Sequence, residues 1–300
     1  MEVLVTGATG FVGGRLVPEL LAAGHDVHVL VRDRGRYDAP AGVTVHEGDL
    51  LEPGSFQAAL EGVEAAYYLV HSMQAGEDFA ERDRRAARNF ASAAGEAGVA
   101  RVIYLGGLGE EGEELSHHLA SRREVEAVLA EGDYELTVLR AAIIVGAGSV
   151  GFETICQLAT RLPVMLTPRW VHTPCQPIAI EDVLAYLVGV LEAPETAGET
   201  YEIGGPDVLT YGEMLTVAAR QLGAREPLIV PVPVLTPQLS AYWVGLVTDV
   251  DWRVARPLID GLRNAVVVTD DSIREVVPVE LTPYEAAVAR AVERRDGGTA

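Results

Sequence analysis

The chain has 300 residues, a formal net charge of −21, a sequence pI of about 4.6 and a composition that is 49% hydrophobic. That length suits one large α/β unit, or a nucleotide-binding half with a smaller lobe, and the apolar fraction supports a sizeable core. The acidic excess excludes the basic stripe that a phosphate-backbone binder needs, so nucleic acid is not an expected partner.

All 23 basic residues are arginine and none is lysine. Acidic excess without lysine suits a cytoplasm of high salt, where self-repulsion is screened. A GC-rich genome that favours arginine codons gives the same composition. Cys156 and Cys175 are the only cysteines, which supports neither a disulfide framework nor a thiolate metal site, and no metal is expected. The chain opens directly on a strand pattern, MEVLVTGATG, so no signal peptide is read and the expected location is cytoplasmic.

Along the first half, apolar strands alternate with helices. Residues 2–6 (EVLVT) read as a strand and 11–24 as an amphipathic helix ending at Gly24. Strands follow at 26–32, 43–48 and 65–72, with a short helix at 53–62. A long helix with an arginine-rich outer face spans 78–98, a strand 101–107, a helix 117–132 and a strand 135–146. Such alternation predicts an α/β fold with a doubly wound parallel sheet.

The second half is less regular. Helices are expected near 153–162 and at 178–194, 210–223, 236–247, 251–263 and 282–295, with a strand at 200–205. Thr210 and Glu213 have the spacing of a capping box. Residues 228–248 carry no charge, but Pro231, Pro233 and Pro237 would break a spanning helix. They read as an extended segment and a short helix, with a peripheral membrane contact as the lesser alternative. The expected division is a cofactor-binding core at 1–150 and a substrate or lid region at 151–300, packed on the core and returning some strands to the sheet.

The strongest chemical signal is TGATGFVGG at 6–14, a G-x-x-G-x-x-G pattern directly after a strand and opening a helix. Small residues there allow a tight turn and close approach of a diphosphate, and the helix N-terminus offers backbone N–H groups. The end of the second strand selects the coenzyme. Arg32 in VRDRGR favours the 2′-phosphate of NADP(H), while Asp33, one residue on, keeps NAD(H) as the alternative. Asp49 and Leu50 follow the third strand, where they meet an adenine edge or form a turn.

TGATGFVGG, VRD, EGDL and the strand AYYLVHSM together resemble the short-chain dehydrogenase/reductase superfamily, most of all its atypical NAD(P)H-binding, NmrA-like branch. LRAAIIVGAGS and YEIGGPDVLTYGEM extend the resemblance to about residue 220. It implies a Rossmann-type domain with a small C-terminal α/β lobe over the cleft. It implies cofactor contacts from Gly7, Thr9, Gly10, Phe11, Val12, Gly13, Arg32, Asp49, Leu50, Val70 and His71. Active members of the superfamily carry Tyr-x-x-x-Lys on the helix after the fifth strand and a Ser or Thr at that strand's end. Here those positions align with His118, Arg122 and Gly106 or Gly107.

Two readings of SHHLASRREVE follow. In one, His118 is a general acid and Arg122 grips the ribose in place of lysine. In the other, His117, His118, Arg122 and Arg123 are a polar helix face beside Glu110, Glu111, Glu113 and Glu114, and three simultaneous replacements weigh toward it. A quinone-like acceptor takes hydride without a strong positioned acid, so an oxidoreductase acting on an apolar acceptor is expected even without the triad. Phe152, Met165, Trp170, Tyr242 and Trp243 are candidate walls of its pocket. The alternative is a non-catalytic, cofactor-binding structural or redox-sensing protein, similar to the nucleotide-binding accessory subunit of respiratory complex I or to NmrA-like regulators. That alternative carries a respiratory-complex partner. His172 and Cys175 suggest a metal only weakly, since two ligands without partners are usually structural.

Overall fold

The computed structural model describes residues 1–71, 79–109, 116–162, 164–167, 169–231 and 264–297. The first half runs β1 (Glu2–Thr6), α1 (Gly13–Ala22), β2 (Asp26–Val31), β3 (Thr44–Glu47), β4 (Ala65–Tyr68), α2 (Phe79–Ala97), β5 (Arg101–Gly107), α3 (His117–Leu129) and β6 (Glu135–Ala141). The second half adds β7 (Ile144–Val145), α4 (Val150–Arg161), β8 (Val164–Thr167), β9 (Pro174–Cys175), β10 (Ile178–Ala179) and α5 (Ile180–Glu192). It continues with β11 (Thr200–Ile203), β12 (Leu209–Thr210), α6 (Tyr211–Gln221), β13 (Leu228–Pro231), α7 (Ile273–Val276) and α8 (Tyr284–Gly297).

Seven strands pair in the order β11-β6-β5-β4-β1-β2-β3, all parallel, which is the expected doubly wound sheet. β1 lies between β2 and β4, so the connections leave it in opposite directions. The crevice of such a sheet opens at the carboxyl ends of those strands.

Alternation of side chains sends Val3, Val5 and Val29 to one face, where Leu16, Leu20, Val183 and Leu187 of α1 and α5 cover them. It sends Leu4, Ala66, Tyr68 and Tyr104 to the other, under Ala87, Phe90, Val125 and Leu129 of α2 and α3. A third cluster joins α4, α6 and α8 through Phe152, Ile155, Met214, Leu215, Tyr284 and Val288. Each large apolar side chain so enclosed contributes about 1.5–3 kcal/mol. The capping box is present: Glu213 N–H donates to Thr210 Oγ1 at 3.2 Å, and Thr210 N–H donates to the Glu213 carboxylate at 2.7 Å.

The helix expected at 53–62 is reduced to one 3-10 turn, Gln57–Ala59. Gly54 and Gly62 take positive φ, and the Ser55 hydroxyl bonds to the Asp49 and Glu52 carbonyls, so the backbone is committed to turns. The strand expected at 135–146 divides after Ala141. Ile144–Val145 pairs instead with Ile178–Ala179, and Ile178 N–H donates to the Ile143 carbonyl at 3.0 Å. Residues 228–231 are extended as read, in parallel with Val164–Thr167. The helices expected at 236–247 and 251–263 lie outside the described residues. Among the described residues, no helix is long and apolar enough to cross a membrane.

Candidate cofactor and active site

The loop from β1 to α1 is closed by its own backbone. Gly7 has φ +76°, and a Cβ there would sit 2.6 Å from the Leu69 carbonyl oxygen. A Cβ at Gly13 would sit 2.3 Å from the Gly7 oxygen. Both positions therefore demand glycine. Gly10 N–H donates to Gly7 O at 2.9 Å and Gly14 N–H to Gly10 O at 3.0 Å. Among the described residues the amides of Phe11, Val12 and Gly13 donate to no protein acceptor, and Val12 at the helix N-cap makes no side-chain cap bond. No acidic residue stands in the first turn of α1. Open amides, a helix N-terminus and a steric cradle that only glycine permits fit the diphosphate of a dinucleotide. Thr9 and Gly10 are exposed at its mouth, while Phe11 and Val12 are half-buried.

At the end of β2 the two competing residues are placed differently. Asp33 turns its carboxylate onto its own loop: Gly35 N–H donates to Oδ1 at 2.9 Å, and Arg36 pairs with Oδ2 at 3.2 Å. Arg32, directly after Val31, is exposed. Asp49 also serves a turn, accepting from Leu51 N–H at 2.8 Å. Leu50 is 6% exposed and packs in the core with Phe56 and Tyr68, and its carbonyl accepts from Asn89 Nδ2 at 2.7 Å.

Val70 and His71 extend past β4, next to Leu69, whose backbone touches the glycine loop. His71 Nδ1 lies 2.9 Å from Asp83 Oδ2, on α2, and Asp83 is 2% exposed. Burial first, and then the Arg122 charge, push the His71 imidazole down to about 4, against the opposing pull of Asp83. His71 is therefore neutral at pH 7, with Nδ1–H donating to the carboxylate. Arg122, on α3, is half-buried rather than spread on a solvated face. Its guanidinium stands 5.7 Å from the Tyr104 ring centre, its stem lies against Gly107, and its Nη1 is buried without a protein acceptor among the described residues. Arg123 donates to the Gly109 carbonyl at 2.8 Å and stands 3.5 Å from Glu126.

The fold thus gathers Arg122, Gly107 and His71 at the carboxyl ends of β4 and β5. His118 occupies the first turn of α3, and its side chain lies outside the described residues, as do Glu110, Glu111, Glu113 and Glu114. Of the candidate pocket walls, Phe152 and Met165 are core residues, 0% and 2% exposed, rather than lining an open cleft. The Trp170 side chain, Tyr242 and Trp243 lie outside the described residues. His172 is exposed while Cys175 is buried, with its thiol pushed up to about 11 by burial, which suits a core residue.

Two residues escaped the sequence reading. Asp83 sits among the arginines of the helix read as having an arginine-rich outer face. Yet it continues the buried stripe Ala86, Ala87, Phe90 and Ala94 at helical spacing, and that periodicity was the available signal. Arg15 bonds across to Ala147, and no local pattern marks it.

A family model described as NAD(P)H-binding matches residues 7–159, just over half the chain. The chain belongs to this NAD(P)H-binding family. The match begins at the first glycine of the loop, in accord with the resemblance to the atypical short-chain dehydrogenase/reductases. Within the family's wider relations, the chain is 30% identical to a ceramide reductase of Caulobacter vibrioides, over 98% of this chain and 90% of that protein. It is 27% identical to subunit 9 of the mitochondrial NADH dehydrogenase (ubiquinone) 1 alpha subcomplex of Arabidopsis thaliana, over 98% of this chain and 78% of that one. The structure superposes on the triphenylmethane reductase of a Citrobacter species, solved with NADP(H), with a TM-score of 0.77. Identity there is 19%, over 97% of this chain and 100% of the other, which establishes the likeness of fold.

Proposed function

We propose that the protein is an NADP(H)-dependent oxidoreductase that passes hydride to an apolar, quinone-like acceptor without the Ser/Tyr/Lys triad. The observation that carries this reading is an open glycine loop after β1, with the end of β5 at Gly106–Gly107 on the same side of the parallel sheet, one strand removed, offering no hydroxyl, in a chain without lysine. When bound, the coenzyme supplies the hydride. The amides of Phe11, Val12 and Gly13 hold the diphosphate, with Gly7, Thr9 and Gly10 shaping its seat. Arg32 takes the 2′-phosphate, because Asp33 is engaged by Gly35 and Arg36. Asp49, Leu50 and Val70 border the adenosine side. Arg122 grips the ribose, a role its half-buried place beside Gly107 supports better than it supports a solvated face. His118 is the remaining candidate proton donor. Residues 151–300 form the lid and the acceptor site. The reductase names among the relatives support the reaction class, and the lipid in one of those names supports an apolar acceptor. We place the protein in a cytoplasm of high salt on the charge balance alone.

A second reading is a non-catalytic coenzyme-binding subunit of a respiratory assembly. It is favoured by the likeness, over 98% of the chain, to a subunit of NADH dehydrogenase. Titration with NADPH and NADH, followed by a screen of quinone acceptors with wild type and His118→Ala, separates the two. Turnover of NADPH with a quinone is the expected result. Tight binding without turnover by any acceptor overturns the enzymatic reading and leaves the subunit. Full activity in His118→Ala removes that side chain from the chemistry.

A further inference from the structure

Arg15 makes two bonds to parts of the chain that the sequence keeps far apart. Its Nη1 donates to the Phe11 carbonyl at 2.8 Å, and its Nη2 donates to the Ala147 carbonyl at 2.7 Å. The guanidinium also stands 4.4 Å from the centre of the Phe11 ring. The same ring is met from Gly146, where an added Cβ would approach Phe11 Cζ and Ile180 Cγ2 to 2.8 Å each. Phe11 is therefore held by a cation and by close backbone approach, and its amide is among the open donors of the glycine loop.

Residues 146–149 connect β7 to α4, the first helix beyond the cofactor half. They are pinned locally as well: the Ser149 hydroxyl donates to the Ile144 carbonyl at 2.8 Å, and Gly148 N–H donates to Glu153 at 3.1 Å. Arg15 supplies the side-chain hydrogen bonds that join this connection to the phosphate loop. Among the described residues its guanidinium makes no close ion pair: the carboxylate of Glu181, which still acts on its charge, bonds to Arg294 at 2.6 Å. Half-burying a guanidinium against carbonyls and a ring costs desolvation that packing alone does not require. In a molecule of net charge −21, it also leaves positive potential where an anionic coenzyme must arrive.

We propose that Arg15 is a positioning residue that couples the diphosphate loop to the 146–149 connection, so that coenzyme binding and the seating of α4 each strengthen the other. This rests on the coenzyme reading above, and the coupling is reciprocal by thermodynamic linkage. It needs no contact between Arg15 and the coenzyme.

Titration calorimetry and hydrogen exchange on wild type, Arg15→Met, Arg15→Lys and Arg32→Ala test it. Arg15→Met weakens NADPH and NADH by the same factor, about tenfold, since a shared loop is loosened. Arg32→Ala weakens NADPH alone. In the coenzyme-free protein, amides of residues 146–153 exchange faster in Arg15→Met than in wild type. Coenzyme slows them in wild type and no longer does so in the variant. Arg15→Lys, which keeps the charge but cannot span both carbonyls, gives the same uncoupling and stands in if the methionine variant fails to fold. Unchanged affinities together with unchanged exchange at 146–153 overturn the proposal. If wild type binds neither coenzyme, the coenzyme reading fails instead, and exchange in the coenzyme-free proteins still decides whether Arg15 holds the connection.

Discussion

The Arg122 guanidinium stands 5.7 Å from the centre of the Tyr104 ring, and the Tyr104 hydroxyl donates back to the Arg122 carbonyl at 3.2 Å. One residue thus fastens α3 to the end of β5 through its side chain and its backbone together. A lysine in its place would lack the planar face that lies over the ring. Arg122→Met is expected to lose about 1 kcal/mol of stability in urea unfolding, the worth of a partly desolvated cation–π contact. Removing its charge should also raise the His71 pKa from about 4, read by imidazole NMR. An unmoved His71 titration would show that the two groups do not feel each other.

Acid should weaken the fold before it reaches the isoelectric range. His71 is held down to about 4, whereas an unfolded histidine titrates near 6.5. Between those values the unfolded chain binds a proton that the folded one refuses. The stabilisation is whole above about 6.5 and is lost as pH falls toward 4, by up to about 3 kcal/mol. His46, lowered by burial, by His28 and by Arg34, adds in the same direction. Urea midpoints at about pH 7.5 and about pH 5 should differ strongly in wild type and much less in His71→Gln. Equal differences in the two proteins would sink this account.

Coenzyme preference should turn on Arg32. With Asp33 bound to Gly35 and Arg36, the arginine is the exposed group at the end of β2. Arg32→Ala should weaken NADPH about tenfold or more, the scale of a lost charge-assisted hydrogen bond, and leave NADH within about twofold. Competition titration of the two coenzymes reads the ratio directly. Parallel loss of both would place the 2′-phosphate elsewhere.

Charge density predicts a salt requirement. A net −21 on 300 residues is repulsion that dilute buffer does not screen. Circular dichroism should show loss of structure at low ionic strength and recovery in molar salt. A full signal in dilute buffer assigns the missing lysines to codon bias.

Much of the fold is legible in the chain because its signals are local. Strand runs such as EVLVT alternate with amphipathic helices, and TGATGFVGG announces both a turn and what the turn can cradle. The failures are where long-range bonds decide. Residues 53–62 have a helical apolar pattern, but Phe56, Leu60 and Val63 are buried through turns that Ser55 and two glycines impose. The candidate site is legible at its glycine loop for the same reason. Its other half is not: Asp83 meets His71, and Arg15 meets Ala147, only once the sheet has formed. A pattern read along one helix cannot show a partner 132 residues away.

The last strand to join the sheet has a consequence for biosynthesis. β11 pairs with the outer edge of β6, from Thr200 opposite Val138 to Ile203 opposite Ala141, and the buried Arg101 is held by Thr137, Thr196 and the Ala193 carbonyl. While the ribosome has delivered only the first 150 residues, that edge has no partner and that cation has half its ligands. An unpaired apolar edge invites neighbouring nascent chains on the same message. Translation must carry on to residue 203 before the polypeptide can cover that edge with its own chain.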